Sequence, residues 1–160
     1  MKRFSVLAIT FLISTLGQAQ NTVFKRVEPC AFGVDIPVEM SIKKMYDDSS
    51  PDYCDYEVKL KNGYVIMELH SLVKSRFSYN TISELYNAAV KASELNITYK
   101  TLASGHFIIS GYNKENGNIV YWKRVLGAKF VSDLRIEYNQ SRKYEIEKHI
   151  GRISGSFTSR

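Results

Sequence analysis

Two strand-like segments joined by an Asn-Gly pair constrain the fold of this chain more than any other feature. Apolar residues alternate with polar ones over 56–61, Asn62 and Gly63 follow, and a second strand-like stretch covers 64–72. Alternation with a period of two predicts strands that bury one face. An Asn-Gly pair between such strands predicts a tight hairpin, because these residues accept the positive φ angles that both turn positions require. The chain should therefore contain an antiparallel sheet.

Other parts of the chain have the same strand-like character. These segments are 23–27, 32–36, 97–102, 107–112, 119–126 and 130–138. Pro37 should stop the second of them, because proline lacks the amide that a sheet ladder needs. Residues 119–126 are apolar on both faces apart from Lys123 and Arg124, so we expect this strand to lie centrally in the sheet. Residues 40–55 are polar and acidic and are predicted to form a long loop.

Two segments have the helical period. Thr81 and Glu84 have the spacing of a capping box, and the apolar face that follows predicts a helix ending near Leu95. Ser141 is predicted to cap a last helix, in which isoleucines recur at 146, 150 and 153. Strands and helices in this order predict an α+β domain, with an antiparallel sheet of about six to eight strands and two main helices on its faces.

The first nineteen residues have the layout of a secretory signal peptide. Two basic residues precede an apolar run over 4–16, and a small-x-small sequence ends at Ala19. The run is shorter than the roughly 20 apolar residues that cross a membrane. We therefore expect cleavage after Ala19, a secreted or periplasmic location, no membrane span, and a single domain over 20–160.

Cys30 and Cys54 are the two cysteines of the chain. An even pair in an exported protein predicts a disulfide, and two separate buried thiols are the alternative. The bridge would close a loop of about 25 residues and stabilise the fold by roughly 3 kcal/mol on the chain-entropy model.

Charge is distributed unevenly along the chain. The whole sequence has a formal net charge of +6, whereas residues 28–57 hold eight acids and two bases. A basic face elsewhere could meet an anionic protein or lipid surface, and a solvated face is the alternative. No nucleic-acid-binding motif is present, so no nucleic-acid partner is expected.

Three tyrosines stand among the acids of this segment. Tyrosine is enriched at protein interfaces because its ring buries apolar area while its hydroxyl stays hydrogen-bonded. We therefore predict a recognition surface for a basic protein partner. Its residues are Tyr46, Asp47, Asp48, Asp52, Tyr53, Asp55 and Tyr56. A calcium site and a solvated acidic loop are the alternatives, although the spacing of the acids is not that of an EF-hand.

The histidines give little sign of a metal or catalytic site. His70, His106 and His149 lie 36 and 43 residues apart, without the helical spacing of a zinc motif, and are expected at the surface or at strand ends. Ser104 lies near His106, with Asp133 as the nearest orienting carboxylate, but the nucleophile-elbow motif is absent. We predict no catalytic residue, no metal site and no cofactor.

Several segments together resemble a known superfamily. They are FGVDIP at 32–37, FIISGY at 107–112, NGNIVYW at 116–122, and a final helix followed by Phe157. This pattern is similar to that of the PsbP-like superfamily, which includes an extrinsic photosystem II subunit, a Ran-binding nuclear import factor and exported bacterial proteins. The resemblance extends over about 32–157 and rests on residues that shape the fold. It implies a binding or accessory domain rather than an enzyme, and no functional residue carries over.

The sequence thus predicts an exported, non-enzymatic domain that recognises a protein partner in the cell envelope. An immunity protein that neutralises an exported toxin is a second version of this hypothesis. A small hydrolase using His106 or the acidic loop, and a carrier with a cavity inside the sheet sandwich, are the alternatives. A concave pocket joining a histidine to two carboxylates would favour the hydrolase, and a flat patch at 46–57 would favour binding.

Overall fold

The structure, a computed structural model, describes residues 22–45 and 50–160. The predicted signal peptide and the predicted binding residues Tyr46, Asp47 and Asp48 lie outside these ranges. The described residues form ten strands and two α-helices, which confirms the predicted α+β class.

The elements alternate between long strand runs and single helices. In chain order they are β1 (Phe24–Val27), β2 (Phe32–Pro37), β3 (Ser41–Lys44), β4 (Tyr53–Lys59), β5 (Val65–Val73), α1 (Ile82–Lys91), β6 (Leu95–Leu102), β7 (His106–Asn113), β8 (Ile119–Leu126), β9 (Phe130–Tyr138), α2 (Lys143–Ser156) and β10 (Thr158–Ser159).

The strands form two sheets. The large sheet has seven strands in the order β3-β4-β5-β9-β8-β7-β6, and the small sheet has the order β1-β2-β10. Neighbouring strands are antiparallel throughout. Strand β8 has a partner on each side, as its apolar faces predict.

The predicted hairpin joins β4 to β5 and is confirmed, but its turn differs from the expected one. Gly63 has a φ of +79°, whereas no other residue type in the described ranges has a positive φ. The Gly63 amide donates to the Leu60 carbonyl at 2.9 Å, and the Leu60 amide donates to the Tyr64 carbonyl at 3.0 Å. Only Gly63 therefore supplies the left-handed conformation, and Asn62 contributes its side-chain oxygen to the Tyr64 amide at 3.1 Å.

Apolar side chains build one layer on each face of the large sheet. On the inner face they pack against the small sheet and α2, with Leu134 and Ile136 of β9 fully buried beside Phe32. On the outer face α1 places Leu85 against Phe107. The period of two separates the layers, because successive side chains of a strand point to opposite faces.

The predicted loop over 40–55 is wrong at both of its ends. Residues 41–44 form β3, and β4 begins at Tyr53. Strand β3 places Lys43 opposite Glu57, so this short edge strand is held by pairing rather than by a buried apolar face. Lysines on a short edge strand also discourage association with other chains.

The helix boundaries differ from two further predictions. Helix α1 ends at Lys91 rather than near Leu95, because Leu95 begins β6. Ser141 does not cap α2, whose first flanking residue is Arg142 without a side-chain cap. The Ser141 hydroxyl donates instead to the side-chain oxygen of Asn139 at 2.6 Å.

Cys30 and Cys54 form the predicted disulfide, with their Cα atoms 6.5 Å apart. The bridge connects the segment before β2 to β4 of the large sheet. Among the described residues, neither helix combines the length and the apolar character that crossing a bilayer would require.

Candidate functional site

One half of the outer face of the large sheet carries charged side chains and is not covered by any helix of the described residues. Helix α1 packs on the side of β6, β7 and β8, whereas α2 packs on β2 and on the inner face. We call the uncovered part of β4, β5 and β9 the open half. Strand alternation and register place one set of polar side chains there: Asp55 and Glu57 from β4, Glu68 and His70 from β5, and Asp133, Arg135 and Glu137 from β9.

A hydrogen-bonded chain crosses from β4 to β5. The Tyr53 hydroxyl donates to Oδ2 of Asp55 at 3.0 Å, and Nδ1 of His70 lies 2.9 Å from Oδ1 of the same carboxylate. Nε2 of His70 lies 3.8 Å from a Glu68 carboxylate oxygen. The Glu68 carboxylate, and then the charges of Asp55 and Asp133, raise the pKa of His70, against the opposing effect of burial.

Asp133 ties the open half to the layer under α1. Its carboxylate accepts two hydrogen bonds from the Arg124 guanidinium, at 2.7 and 2.8 Å, and one from the Trp122 indole at 2.8 Å. The guanidinium also lies over the Trp122 ring, 5.0 Å from its centroid. A bidentate pair of this kind fixes both side chains, so the indole ring is held in one orientation.

Glu137 is the second fixed carboxylate. Its oxygens accept from Arg135 at 2.9 Å and from the side-chain amides of Asn113, Asn116 and Asn118 at 3.3, 3.0 and 3.1 Å. Burial opposes ionisation, but the hydrogen bonds from Arg135, Asn116 and Asn118 lower the pKa of Glu137. The β7–β8 turn is thereby attached to β9.

Two cavities lie along the open half. The first, of about 360 Å³, is lined by Glu68, His70, Glu94, Trp122, Asp133, Arg135 and Glu137. The second, of about 390 Å³, is lined by Tyr64, Val65, Ile66, Met67, Glu68, Asn118, Arg135 and Glu137. Because Glu68, Arg135 and Glu137 line both, the cavities are neighbours on the sheet face, and we call the two together the trough.

The structure brings together only part of the predicted recognition surface. Tyr53 and Asp55 lie on the open half, next to His70. Asp52 directly precedes β4, and its carboxylate is 3.4 Å from the Arg76 guanidinium. Tyr56 lies on the opposite face, packs edge-on against the Phe32 ring, and donates its hydroxyl to a backbone carbonyl.

The positions of two histidines differ from those predicted. His70 lies inside β5 rather than at a strand end, and His149 is buried, with 6% exposure, rather than at the surface. His106 begins β7 as expected, but it pairs with Val125 on the inner-face side and does not meet Asp133. Within the described residues, no group of three or more histidine, cysteine or acidic side chains could hold a metal ion.

The cluster around His70 is not predicted by the sequence pattern. The sequence does contain one sign of it: in 64–72 and 130–138 polar residues alternate with apolar ones, which places the polar side chains of each strand on one face. The pairing of His70 with Asp133 joins strands far apart in the chain, and the sequence alone does not give that register.

Comparison with known proteins agrees with this architecture. No protein-family model matches the chain, and no curated protein matches it in sequence. Among solved structures, cyanobacterial PsbP (CyanoP) from Synechocystis sp. PCC 6803 matches with a TM-score of 0.55 at 8% identity, over 92% of this chain and 99% of that one. The Ran-binding protein Mog1p of Saccharomyces cerevisiae matches with a TM-score of 0.49 at 9% identity, over 86% of this chain and 96% of that one. The chain therefore has the PsbP-like fold that its sequence pattern resembles.

Proposed function

We propose that this chain is an exported, non-enzymatic binding domain that recognises a protein partner in the cell envelope through the open half. The observation that carries the proposal is that this surface is uncovered while its charged side chains are already held in fixed positions. No described helix packs on it, yet its charged side chains hold one another in place through Asp55, Asp133 and Glu137. Charges that are already oriented lose little conformational freedom on binding and select partners by complementarity.

Three further features support the proposal. The fold is that of PsbP, and the PsbP-like resemblance implies a binding or accessory role. The Cys30–Cys54 disulfide fits an oxidising compartment outside the cytoplasm. Tyr53 and Asp55, which belong to the predicted recognition surface, lie on the open half. The signal peptide at 1–19 is part of the proposal.

Affinity capture tests this function. The bait is the chain from Gln20 to Arg160, offered to the envelope and secreted proteins of the producing cell. We expect one partner at stoichiometric yield, and we expect Asp55→Asn with Glu68→Gln to weaken its retention. Glu39→Gln is a control, because Glu39 is exposed and lines a different cavity.

The identity of the captured partner separates the versions of the proposal. A partner that is toxic when produced alone indicates an immunity protein, and a subunit of an envelope complex indicates an accessory role. Retention that is equal for the open-half variant and the control excludes the open half as the binding surface. A blank with intact, oxidised bait contradicts the binding function.

A hydrolase is the second candidate, and the orientation of His70 favours it. Asp55 holds Nδ1, so that Nε2 points toward Glu68 at the cavity, as in a base that activates a nucleophile. None of the described residues that line this cavity has a hydroxyl or thiol side chain, so water would be the nucleophile. Hydrolysis of a panel of chromogenic esters and glycosides that is abolished by His70→Asn would establish the hydrolase.

A further inference from the structure

We propose that the first cavity of the trough receives a lysine or arginine side chain from a segment of the protein partner. This inference rests on the proposed function and names the chemistry of the partner at the same surface. Its basis is the match between the charge left over at the cavity, the shape of the trough and the position of Trp122.

The charges of the cavity do not balance among the residues that the structure describes. Asp133 is neutralised by Arg124, and Glu137 is neutralised by Arg135. Glu68 has His70 as its nearest cation, at 3.8 Å, and His70 is shared with Asp55 at 2.9 Å.

Glu94 also lines the cavity and is exposed. It has no ion pair and no side-chain hydrogen bond among the described residues. Glu68 and Asp55 therefore share the single imidazole of His70, and Glu94 adds a further carboxylate that has no cation beside it among the described residues. A cation entering from outside would complete the pairing, whereas an anion would meet uncompensated like charge.

Trp122 gives the cavity a wall suited to a long basic side chain. Its indole N–H already donates to Asp133, so the ring is fixed before a ligand arrives. Lysine and arginine place an apolar stem along such a surface while the charged end reaches polar groups. The Arg124 guanidinium already lies over this ring, so Trp122 contacts the apolar stem, and the carboxylates of Glu68 and Glu94 receive the charged end. The same cavity thus offers contacts for both parts of the side chain.

The shape of the trough favours a polypeptide segment over a free small cation. The two cavities, of about 360 and 390 Å³, lie side by side and share Glu68, Arg135 and Glu137. A small cation would occupy one of them, whereas a segment passing along β5 and β9 would fill both. Tyr64 and the β7–β8 turn residue Asn118 line the far end, where they can contact the rest of such a segment.

Trp122 allows a direct test, because it is the only tryptophan in the chain. Its fluorescence is followed while hexalysine is added to the oxidised protein, with hexaglutamate as the comparison peptide. We expect a saturable change with hexalysine and none with hexaglutamate. The chain has a formal net charge of +6, so attraction of a cationic peptide has to come from a local acidic surface.

Single substitutions test whether hexalysine binds at this cavity. Glu68→Gln and Glu94→Gln should each weaken hexalysine binding, by up to about fivefold as expected for a partly exposed charge pair. Glu39→Gln removes the same charge at a different cavity and should leave the affinity unchanged. Added salt should weaken binding, because exposed charges are screened.

The inference is overturned if hexalysine produces no saturable change, if hexaglutamate binds equally well, or if the three variants lose affinity to the same extent. These results are independent of affinity capture. A partner whose retention depends on Asp55 but not on Glu68 or Glu94 would support the proposed function and contradict the binding of a basic side chain in the cavity. Binding of hexalysine together with a blank capture would support the site for a basic group and contradict the protein-binding function.

Discussion

The two halves of the outer face belong to the same sheet but have opposite chemistry. Under α1, Leu85 and Phe107 are 1% and 0% exposed. On the open half, the side chains of Glu68 and Asp133 remain 51% and 15% exposed. Strand β9 contributes Val131 to the covered half and Asp133 to the open half, so the covering helix rather than the strand decides whether an outward position is apolar.

The side chain of Arg124 lies between the two halves and contacts both of them. Arg124 forms its bidentate pair with Asp133 and lies over the rings of Phe107 and Trp122, at 5.8 and 5.0 Å. Its contacts with the aromatic rings extend the apolar layer under α1, and its charge pairs with Asp133 of the open half. The arrangement lets one sheet face hold a core and an exposed charged surface side by side.

The largest expected difference between the halves comes from truncating their central side chains. Phe107→Ala removes a fully buried ring that packs edge-on against Tyr86 and Trp122, so it should lower the free energy of unfolding by about 3–5 kcal/mol. Glu68→Ala on the open half should change it by less than about 0.5 kcal/mol, as is usual for exposed positions. Urea unfolding measures both, and equal losses would show that the open half is part of the core.

The disulfide should stabilise the open half more than the covered half. Replacing Cys30 and Cys54 together by alanine removes a link with a sequence separation of 24, and should lower the free energy of unfolding by about 3 kcal/mol. Amide exchange should rise in β4 and β5 before it rises in β6 and β7, because the bridge is attached to β4. Wild-type protein treated with reductant is the control and should behave in the same way. An even rise across the sheet would contradict this local role.

The sequence predicted the elements whose signals are local. The Gly63 turn, the Thr81 capping box and the bounds of β8 and β9 needed only neighbouring residues. Strand β3 was missed because Ile42 is its one apolar residue, and its pairing with β4 supplies the stabilisation.

The candidate site could be predicted only in part for a similar reason. Tyr53 and Asp55 were identified from the acidic, tyrosine-rich composition of one segment. Their partner His70 and the Asp133 cluster depend on how β4, β5 and β9 align. The burial of His149, which packs edge-on against Phe24, depends on where α2 meets the small sheet. Such contacts become visible only when distant segments are placed in space.

A smaller effect is expected from the cap of the covering helix. The Thr81 hydroxyl accepts from the Glu84 amide at 3.2 Å, and the Glu84 carboxylate accepts from the Thr81 amide at 3.0 Å. Thr81→Ala should lower the free energy of unfolding by about 1 kcal/mol. Thr81→Ser keeps the cap and is the matched control. If both variants lose the same stability, the cap does not contribute to holding α1 on the sheet.

The smallest effect concerns pH and contrasts two histidines on opposite faces. Carboxylates raise the pKa of His70, Glu68 first among them, whereas burial lowers the pKa of His149. The contribution of His70 is therefore fully present below its unfolded pKa of about 6.5 and is lost as pH rises through the raised value. The contribution of neutral His149 is present above about 6.5 and is lost as pH falls through its lowered value.

His70→Asn and His149→Gln separate these opposite slopes. Urea unfolding of each variant and of the wild type between pH 5 and 8 gives the free energy that each histidine contributes. The stability lost in His70→Asn should be largest at low pH and should shrink as pH rises, because the Asp55 and Glu68 pairs need a charged imidazole. The stability lost in His149→Gln should shrink as pH falls. If the loss in His70→Asn instead grows with pH, His70 acts as a neutral hydrogen-bond donor to Asp55. Glu68 would then have no charged partner in His70, and the open half would carry more negative charge than the ion pairs indicate.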